Sequence, residues 1–149
     1  MIDHTSTRAR SWLFTPATRP DRFAKASAAG ADVAILDLED AVAPGNKAQA
    51  RTIALDYLAN NPADGMRHAL RINGLDTRAG ISDLDALLGS TAAPDFLVLP
   101  KTETAGHLQI LDRLLTVAGK DTRLIGLIES AHGLAAVEAI ATANSTHIS

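Results

Sequence analysis

The sequence predicts an α/β fold of the (β/α)8 TIM-barrel type, of which this chain supplies about the first five strand–helix units. Short apolar runs alternate with helical patterns, which is typical of parallel βαβ units. The run Val33–Glu39 is apolar enough to be covered on both faces, as strands of a parallel sheet are. The runs also end in polar or charged residues, and in a barrel these strand ends meet at one mouth, where the active site lies.

The apolar runs mark the predicted strands. The first run ends at Pro16, and the following strands are predicted at Val33–Glu39, Ala69–Ile72, Phe96–Leu99 and Leu124–Ile128. The last residues, Thr146–Ser149, are the expected start of a sixth strand. Because an eight-unit barrel needs roughly 250 residues, we expect residues 1–149 to be the N-terminal portion of a single barrel domain. The alternative is a smaller open α/β sheet.

A first helix is predicted between the first two strands. We expect Thr18 to cap this helix, which begins near Pro20, with Asp21 as the capping-box partner. Gly30 is expected to end the helix in a left-handed conformation.

Four further helices are predicted along the chain. The second follows a turn at Pro44–Gly45 and runs from Lys47 to Leu58. Apolar stripes predict the others around residues 81–88, 108–115 and 134–141. Glycines close the first two of these three, at positions 89 and 119.

Composition excludes several classes of function. The 149-residue chain has a net charge of −3 with its basic residues spread along it, which is not the pattern of a nucleic-acid-binding protein. It has no cysteine, so it can form neither a disulfide framework nor a thiolate metal site. No apolar stretch reaches the roughly 18 residues that span a bilayer, and the N-terminus lacks a signal-peptide core. We therefore expect a cytoplasmic protein with no nucleic-acid or membrane partner.

Three carboxylates, Asp37, Glu39 and Asp40, close the second strand. Strand alternation places the first two on one face and Asp40 on the other. Carboxylates this close repel one another unless a cation compensates, and Arg71 at the end of the next strand is the natural cation. Either these residues form a structural charge network at the barrel mouth, or Glu39 or Asp37 holds Arg71 ready for an anionic substrate.

Arg71 is the main candidate for catalysis and substrate binding. Its guanidinium is a rigid bidentate donor for a carboxylate or a developing enolate oxygen. Asn73 lies two residues further on and is expected on the same face. An arginine at a strand end is more commonly a surface ion pair, but the carboxylates before Arg71 and Glu129 after it favour substrate contact.

Glu129 ends the fifth strand and is the candidate metal ligand. Small residues follow it in the segment IESAHG, and a carboxylate there suits Mg²⁺, which needs only one or two protein carboxylates. The alternative is an acid that interacts with the dipole of the following helix. A hydrolase is excluded, because Ser130 and His132 are close neighbours at a strand end and no nucleophile elbow is present.

Basic residues offer further substrate contacts. Lys101 either neutralises a thioester oxygen or a phosphate, or pairs with Glu103 in a structural role, which is the preferred interpretation. Arg19, Arg22 and Lys25 form a small cluster around the first helix. Such a cluster could bind phosphate groups, although most basic clusters of this kind are simply solvated surfaces.

Taken in order, these motifs resemble the citrate lyase beta-subunit-like family of the HpcH/HpaI aldolase/citrate lyase superfamily. That family includes malyl-CoA, citramalyl-CoA and citryl-CoA lyases and is related to malate synthases. The resemblance covers the chain from Arg10 to about Ala141 and is carried by the segments RSWLFTPATRPDRFAKA, GADVAILDLEDAVAPGNKAQAR, LRING, FLVLPKTE and LIGLIESAHGL.

The resemblance implies a TIM-barrel lyase that uses Mg²⁺ to cleave a 3-hydroxyacyl-CoA of the citryl-CoA or malyl-CoA type to acetyl-CoA and a 2-oxo acid. Arg71 matches the arginine that holds the substrate carboxylate or polarises the carbonyl. Glu39 matches the acid that pairs with this arginine, and Asp40 matches that acid's neighbour. Glu129 matches the first protein ligand of the metal.

The resemblance also implies partners. Arg19 and Lys25 match basic positions near bound CoA, and the thioester carrier is either CoA or an acyl carrier protein. The family's second metal ligand is an aspartate in a Gly-x-x-Asp segment after the sixth strand, which residues 1–149 do not include. We therefore expect the isolated 149-residue chain to be poorly stable and inactive. A homo-oligomer, either a trimer or a hexamer, is expected.

Two other functions stay open. One is an aldolase that cleaves 2-oxo-3-deoxy acids through a pyruvate enolate and ignores CoA. The other is a non-catalytic barrel remnant with a scaffold or regulatory role, against which the presence of Arg71, Glu39 and Glu129 argues.

Overall fold

A computed structural model describes residues 9–60 and 65–143, in which strands and helices alternate along the chain. The strands are β1 (Trp12–Pro16), β2 (Val33–Asp37), β3 (Arg67–Arg71), β4 (Phe96–Leu99) and β5 (Arg123–Gly126). The helices are α1 (Phe23–Ala28), α2 (Lys47–Asn60), α3 (Arg78–Gly89), α4 (Ala105–Val117), α5 (Ala131–Ala135) and α6 (Val137–Ala141). The predicted α/β class is confirmed.

The sheet has its five strands in chain order, β1-β2-β3-β4-β5, and every pair is parallel. Strand order would reverse in a doubly wound open sheet. Because parallel crossovers are right-handed, an order without reversal places all the connecting helices on one face. This is the arrangement of consecutive units in a (β/α)8 barrel. Chain order thus supports the predicted barrel portion over a doubly wound sheet.

The two faces of the sheet carry different cores. The helix-facing side holds the larger apolar cluster, which includes Leu36, Leu70, Leu97 and the inward leucines of α4. The opposite face holds a smaller cluster, consisting of Val33, Ile35, Ala69, Phe96 and Val98, with Trp12 packed against it. Strand alternation puts Asp37 and Arg71 on the side of the smaller cluster, which is the interior side of a barrel.

Side-chain caps that the sequence analysis did not predict, and two glycines that it did, set several helix boundaries. Thr77, Thr104 and Ser130 accept hydrogen bonds from backbone N–H groups in the first turns of α3, α4 and α5. Gly30 and Gly119 adopt φ values of +74° and +67°, the left-handed conformation that lets a chain leave a helix.

The structure corrects the predicted start of the first helix. A 3-10 turn at Pro20–Arg22 precedes α1, and Arg19 occupies its cap position without a side-chain cap hydrogen bond. Thr18 is therefore not the cap. Asp21 is not a capping-box partner either, since its carboxylate binds the Arg19 guanidinium.

Other boundaries also differ from the prediction. The expected fifth helix is two short helices, α5 and α6, separated at Ala136. Strands β3 and β5 begin and end earlier than their apolar runs, and their paired register ends at Arg71 and Gly126. The expected sixth strand lies outside the described residues, and α2 ends at Asn60, two residues beyond the predicted end at Leu58. Within the described ranges, the longest helix has 14 residues and no helix meets the length and apolarity needed to cross a membrane.

Candidate active site

The candidate site lies where β2, β3, β4 and β5 end. Parallel pairing aligns Asp37 with Arg71 and Leu99 with Gly126, so the loops after these strands leave the sheet at one edge. Four of the predicted residues meet there through direct contacts, namely Glu39, Arg71, Lys101 and Glu129. Asp40 lies at the margin of this group.

Arg71 and Asp37 form a buried, bidentate ion pair. Nε and Nη2 of the guanidinium each donate a 2.7 Å hydrogen bond to a carboxylate oxygen, and the two side chains are 9% and 1% exposed. Burial opposes ionisation of Asp37, but the hydrogen bonds from Arg71 and from the N–H groups of Glu39 and Ala41 outweigh it and lower the pKa of Asp37. The hydrogen bonds to Asp37 raise the pKa of Arg71. The residues alone left open which acid holds Arg71, and the resemblance implied Glu39. Asp37 is the acid that accepts both hydrogen bonds, and Glu39 makes a second charge contact.

Glu39 is the second carboxylate against Arg71. Its Oε2 atom lies 3.1 Å from Nη1 of Arg71, a charge contact whose geometry is not that of an aligned hydrogen bond. Its Oε1 atom accepts a 2.6 Å hydrogen bond from Nζ of Lys101. Asp40 is 3.9 Å from Arg71 with a side chain that is 73% exposed. The prediction that Asp40 lies on the opposite face is therefore wrong, because β2 ends at Asp37 and strand alternation no longer applies at Asp40.

The ring of Phe14 covers the guanidinium of Arg71. The central guanidinium carbon lies 4.6 Å from the ring centroid, within the range of a cation–π contact. Phe14 comes from β1 and is 48% exposed. Sequence reasoning missed this residue. The available signal was its position two residues after Trp12, which places both on the face that carries Arg71.

Lys101 makes a different contact from the predicted one. Its ammonium binds Glu39 instead of Glu103, whose carboxylate accepts a hydrogen bond from the Ser130 hydroxyl. The hydrogen bond to Glu39 raises the pKa of Lys101 above its ordinary value. The peptide N–H of Lys101 donates a 2.8 Å hydrogen bond to Oε1 of Glu129. Lys101 therefore contacts both Glu39 and Glu129.

Glu129 has some of the features of a metal ligand. It is an exposed carboxylate at the end of β5, and its described hydrogen bond uses Oε1. Ser130, and not Glu129, caps α5. Among the described residues no group of three metal-binding side chains comes together. Since Mg²⁺ keeps several waters and needs few protein carboxylates, Glu129 fits one ligand of such an ion.

Asn73 is not on the face of Arg71, in contrast to the prediction. Its side-chain amide donates to Asp83 of α3 at 2.6 Å and to the Leu38 carbonyl at 3.0 Å. Asp83 also binds Arg51 of α2 at 2.7 Å. The chain leaves the strand after Arg71, so the period of two no longer applies at Asn73, which joins the layer of helices.

Arg19, Arg22 and Lys25 line a surface cleft with Leu13 and Phe14. Arg19 is engaged in a bidentate ion pair with Asp21, with both N···O distances at 2.9 Å and both side chains about half exposed. Phe14 thus contributes both to this cleft and to the Arg71 cluster.

Comparison with known proteins decides the family. Residues 10–148 match the family described as HpcH/HpaI aldolase/citrate lyase. The chain belongs to this family.

Curated members of the HpcH/HpaI family include named lyases. The chain is 43% identical over 135 residues to a citrate lyase subunit beta-like protein of Mycobacterium tuberculosis, covering 91% of the chain and 44% of that protein. It is 41% identical over 144 residues to an L-malyl-CoA/beta-methylmalyl-CoA lyase of Cereibacter sphaeroides, covering 91% of the chain and 45% of that lyase. The chain thus spans less than half the length of these relatives.

Solved structures of the family share the fold. RipC from Yersinia pestis superposes with a TM-score of 0.77 at 57% identity, over 93% of this chain and 55% of that one. CitE from Mycobacterium tuberculosis, in complex with magnesium, acetoacetate and coenzyme A, superposes with a TM-score of 0.74 at 40% identity, over 95% of this chain and 48% of that one.

Proposed function

We propose that residues 1–149 are the N-terminal portion of a single TIM-barrel lyase domain. The complete protein would cleave a 3-hydroxyacyl-CoA of the citryl-CoA or malyl-CoA type to acetyl-CoA and a 2-oxo acid, with Mg²⁺ as cofactor. Membership of the family, the named lyases among the relatives and the magnesium and coenzyme A complex of a 40% identical structure support this function.

The observation that carries the proposal is the constrained guanidinium of Arg71 at the barrel mouth. Two of its five N–H donors go to Asp37, and Phe14 covers one face of its plane. The Nη1 edge points toward Glu39 and can bind a further anionic oxygen. A guanidinium fixed in this way needs no reorganisation when negative charge develops beside it, which is how such groups lower a barrier.

The chemistry requires a donor of this kind. When the carbon–carbon bond breaks, the substrate hydroxyl loses its proton and becomes the carbonyl of the 2-oxo acid. The bonding electrons move into the thioester, whose enolate oxygen becomes negative until the carbon is protonated to give acetyl-CoA. Arg71 would bind this oxygen or the substrate carboxylate, and Asp40 is the exposed carboxylate of the cluster that a bound substrate can reach.

Glu129 would hold the metal, together with waters and a carboxylate from outside the described residues. When bound, Mg²⁺ supplies Lewis-acid polarisation of the substrate oxygens. The hydrogen bond from the Lys101 peptide N–H to Oε1 fixes the orientation of the Glu129 carboxylate.

The cleft lined by Arg19, Arg22 and Lys25 would bind the thioester carrier. Arg19, Arg22 and Lys25 surround an opening beside Phe14, so phosphates bound there would leave the thioester end close to Arg71. Both coenzyme A and the phosphopantetheine of an acyl carrier protein present phosphate, and a comparison of the two thioesters as substrates distinguishes them. A cytoplasmic homo-oligomer, a trimer or hexamer, is part of the proposal, and light scattering of the purified protein tests the assembly.

The test is cleavage of citryl-CoA and L-malyl-CoA by the complete protein with Mg²⁺, comparing wild type with Arg71→Ala. Loss of this donor is expected to lower kcat by about 100-fold or more, the range for a removed oxyanion donor. If kcat survives within about tenfold, a difference of about 1.4 kcal/mol, Arg71 is not the stabiliser. Release of pyruvate from a 2-oxo-3-deoxy acid without CoA would identify the aldolase alternative. Inactivity on both substrate classes would favour the non-catalytic alternative.

A further inference from the structure

Lys101 has an unusual backbone conformation at the end of β4. Within residues 9–60 and 65–143 it is the one non-glycine residue with a positive φ, at 49°. A side chain in this left-handed region costs about 1 kcal/mol or more, and such strain persists only where the surroundings fix it. The conformation turns the peptide N–H toward Glu129 while the side chain crosses to Glu39.

The buried charges beside Arg71 balance only when Lys101 is included. Asp37 and Arg71 form one neutral pair. Glu39, with a side chain that is 7% exposed, adds a second negative charge, and Lys101 supplies the second positive charge at 2.6 Å. Without the ammonium, a net negative charge would lie next to Arg71. The negative charge that develops on the thioester in the transition state would then meet a weaker positive potential at the guanidinium.

Glu39 also depends on Lys101 for its orientation. Its Oε2 atom is buried and accepts no aligned hydrogen bond among the described residues. The hydrogen bond from Lys101 to Oε1 is therefore the described directional contact that fixes this carboxylate against Nη1 of Arg71.

We propose that Lys101 is a positioning residue, which holds Glu39 against Arg71 with its side chain and Glu129 with its peptide N–H. This inference rests on the proposed function, because it assigns Arg71 and Glu129 to one reaction. It differs from the roles that the sequence suggests for Lys101, which are direct binding of a thioester oxygen or phosphate and pairing with Glu103.

Kinetics of the complete protein with citryl-CoA and L-malyl-CoA separate positioning from substrate binding. Lys101→Met is expected to lower kcat by about 10- to 100-fold, the range for loss of a supporting contact. KM should change by less than about threefold, because no uniform binding contact is lost. A rise in KM with kcat unchanged would show that Lys101 binds substrate and would overturn the proposal. The matched control is Arg113→Met, which removes an exposed cation of α4.

A double-mutant cycle tests the route through Glu39. In the Glu39→Gln background, Lys101→Met is expected to have little further effect, because a neutral amide needs no cation. Additive losses would overturn the proposal. Lys101→Gly provides a second variant, since glycine accepts a φ of 49° without strain. It should keep the backbone turn and still lose kcat, whereas wild-type kcat would contradict the positioning role.

A spectroscopic readout does not require turnover. The ¹⁵N resonance of Arg71 Nε reports the guanidinium environment, and we expect it to shift in Lys101→Met and not in Arg113→Met. If wild type cleaves neither thioester, the proposed function fails, while this resonance still decides the positioning role. An unchanged Arg71 resonance in Lys101→Met overturns the role.

Discussion

Replacing Asp37 by asparagine tests the ion pair on which the candidate site is built. The change keeps the side-chain shape and removes the charge from a carboxylate that is 1% exposed and accepts two 2.7 Å hydrogen bonds from Arg71. Breaking a buried pair by removing one partner costs about 3 to 5 kcal/mol. We expect Asp37→Asn to lower the free energy of unfolding by about 3 kcal/mol, the lower end of this range, because Glu39 remains 3.1 Å from the guanidinium.

The same pair predicts a dependence of stability on pH. The hydrogen bonds to Asp37 lower its folded-state pKa below the ordinary value of 3.8. The stabilising contribution is therefore complete above pH 3.8 and is lost as the pH falls through the folded-state pKa. Asp37→Asn removes the titrating group, so this part of the acid destabilisation should be missing in the variant.

Urea unfolding of the purified complete protein measures both effects. With a slope of about 1.5 kcal/mol per molar, a loss of about 3 kcal/mol moves the midpoint down by about 2 M. Asp40→Asn is the matched control, because its 73% exposed carboxylate lies 3.9 Å from Arg71 and should contribute less than about 1 kcal/mol. Equal midpoints for Asp37→Asn and wild type at neutral pH would refute the reasoning that this pair stabilises the site.

Three further predictions concern other parts of the chain. Gly80→Ala should lower the free energy of unfolding by about 2 kcal/mol or more, because the added Cβ atom would overlap the Gly74 carbonyl oxygen. The control is Gly89→Ala, whose added Cβ atom meets nothing within 4 Å, and this variant should unfold in urea like wild type. Burial lowers the pKa of Lys120, so the free energy of unfolding should rise with pH from the folded-state pKa toward 10.5, and urea titrations of Lys120→Met should lack this rise. Glu129→Gln should weaken Mg²⁺ binding by about tenfold or more in calorimetry while urea stability stays near wild type, and unchanged affinity would remove Glu129 from the metal site.

The sequence was sufficient to predict the architecture because its signals are local. Apolar runs and helical stripes each depend on a few neighbouring residues, and glycines that end helices, such as Gly119, need no knowledge of distant partners. Boundaries were less accurate where tertiary pairing decides them. Strand β5, for example, ends at Gly126 although the apolar run continues to Ile128.

The contacts of the site were harder to predict than its residues. Strand-end position was enough to select Arg71, Glu39 and Glu129. It could not show that Lys101 reaches Glu39, 62 positions away in the chain, because this contact depends on a left-handed turn that carries no glycine to mark it. Phe14 was missed for a related reason, since an aromatic residue in an apolar strand looks like core until the position of the neighbouring guanidinium is known.

The ends of β2 and β3 are fixed from two sides, which explains how buried charges can be held there. On the helix side, the Leu38 carbonyl accepts from the Asn73 amide and from the Lys47 ammonium, so backbone groups beyond the sheet pairing are satisfied. On the interior side, the described charged or aromatic partners of Asp37, Glu39 and Arg71 are each other, Lys101, the more distant Asp40 and the ring of Phe14. Loss of the Asn73 or Lys47 hydrogen bond on the helix side should therefore move the backbone and reduce stability. Loss of Lys101 should instead leave the backbone in place and weaken the positive potential that Arg71 offers to charge developing in the transition state.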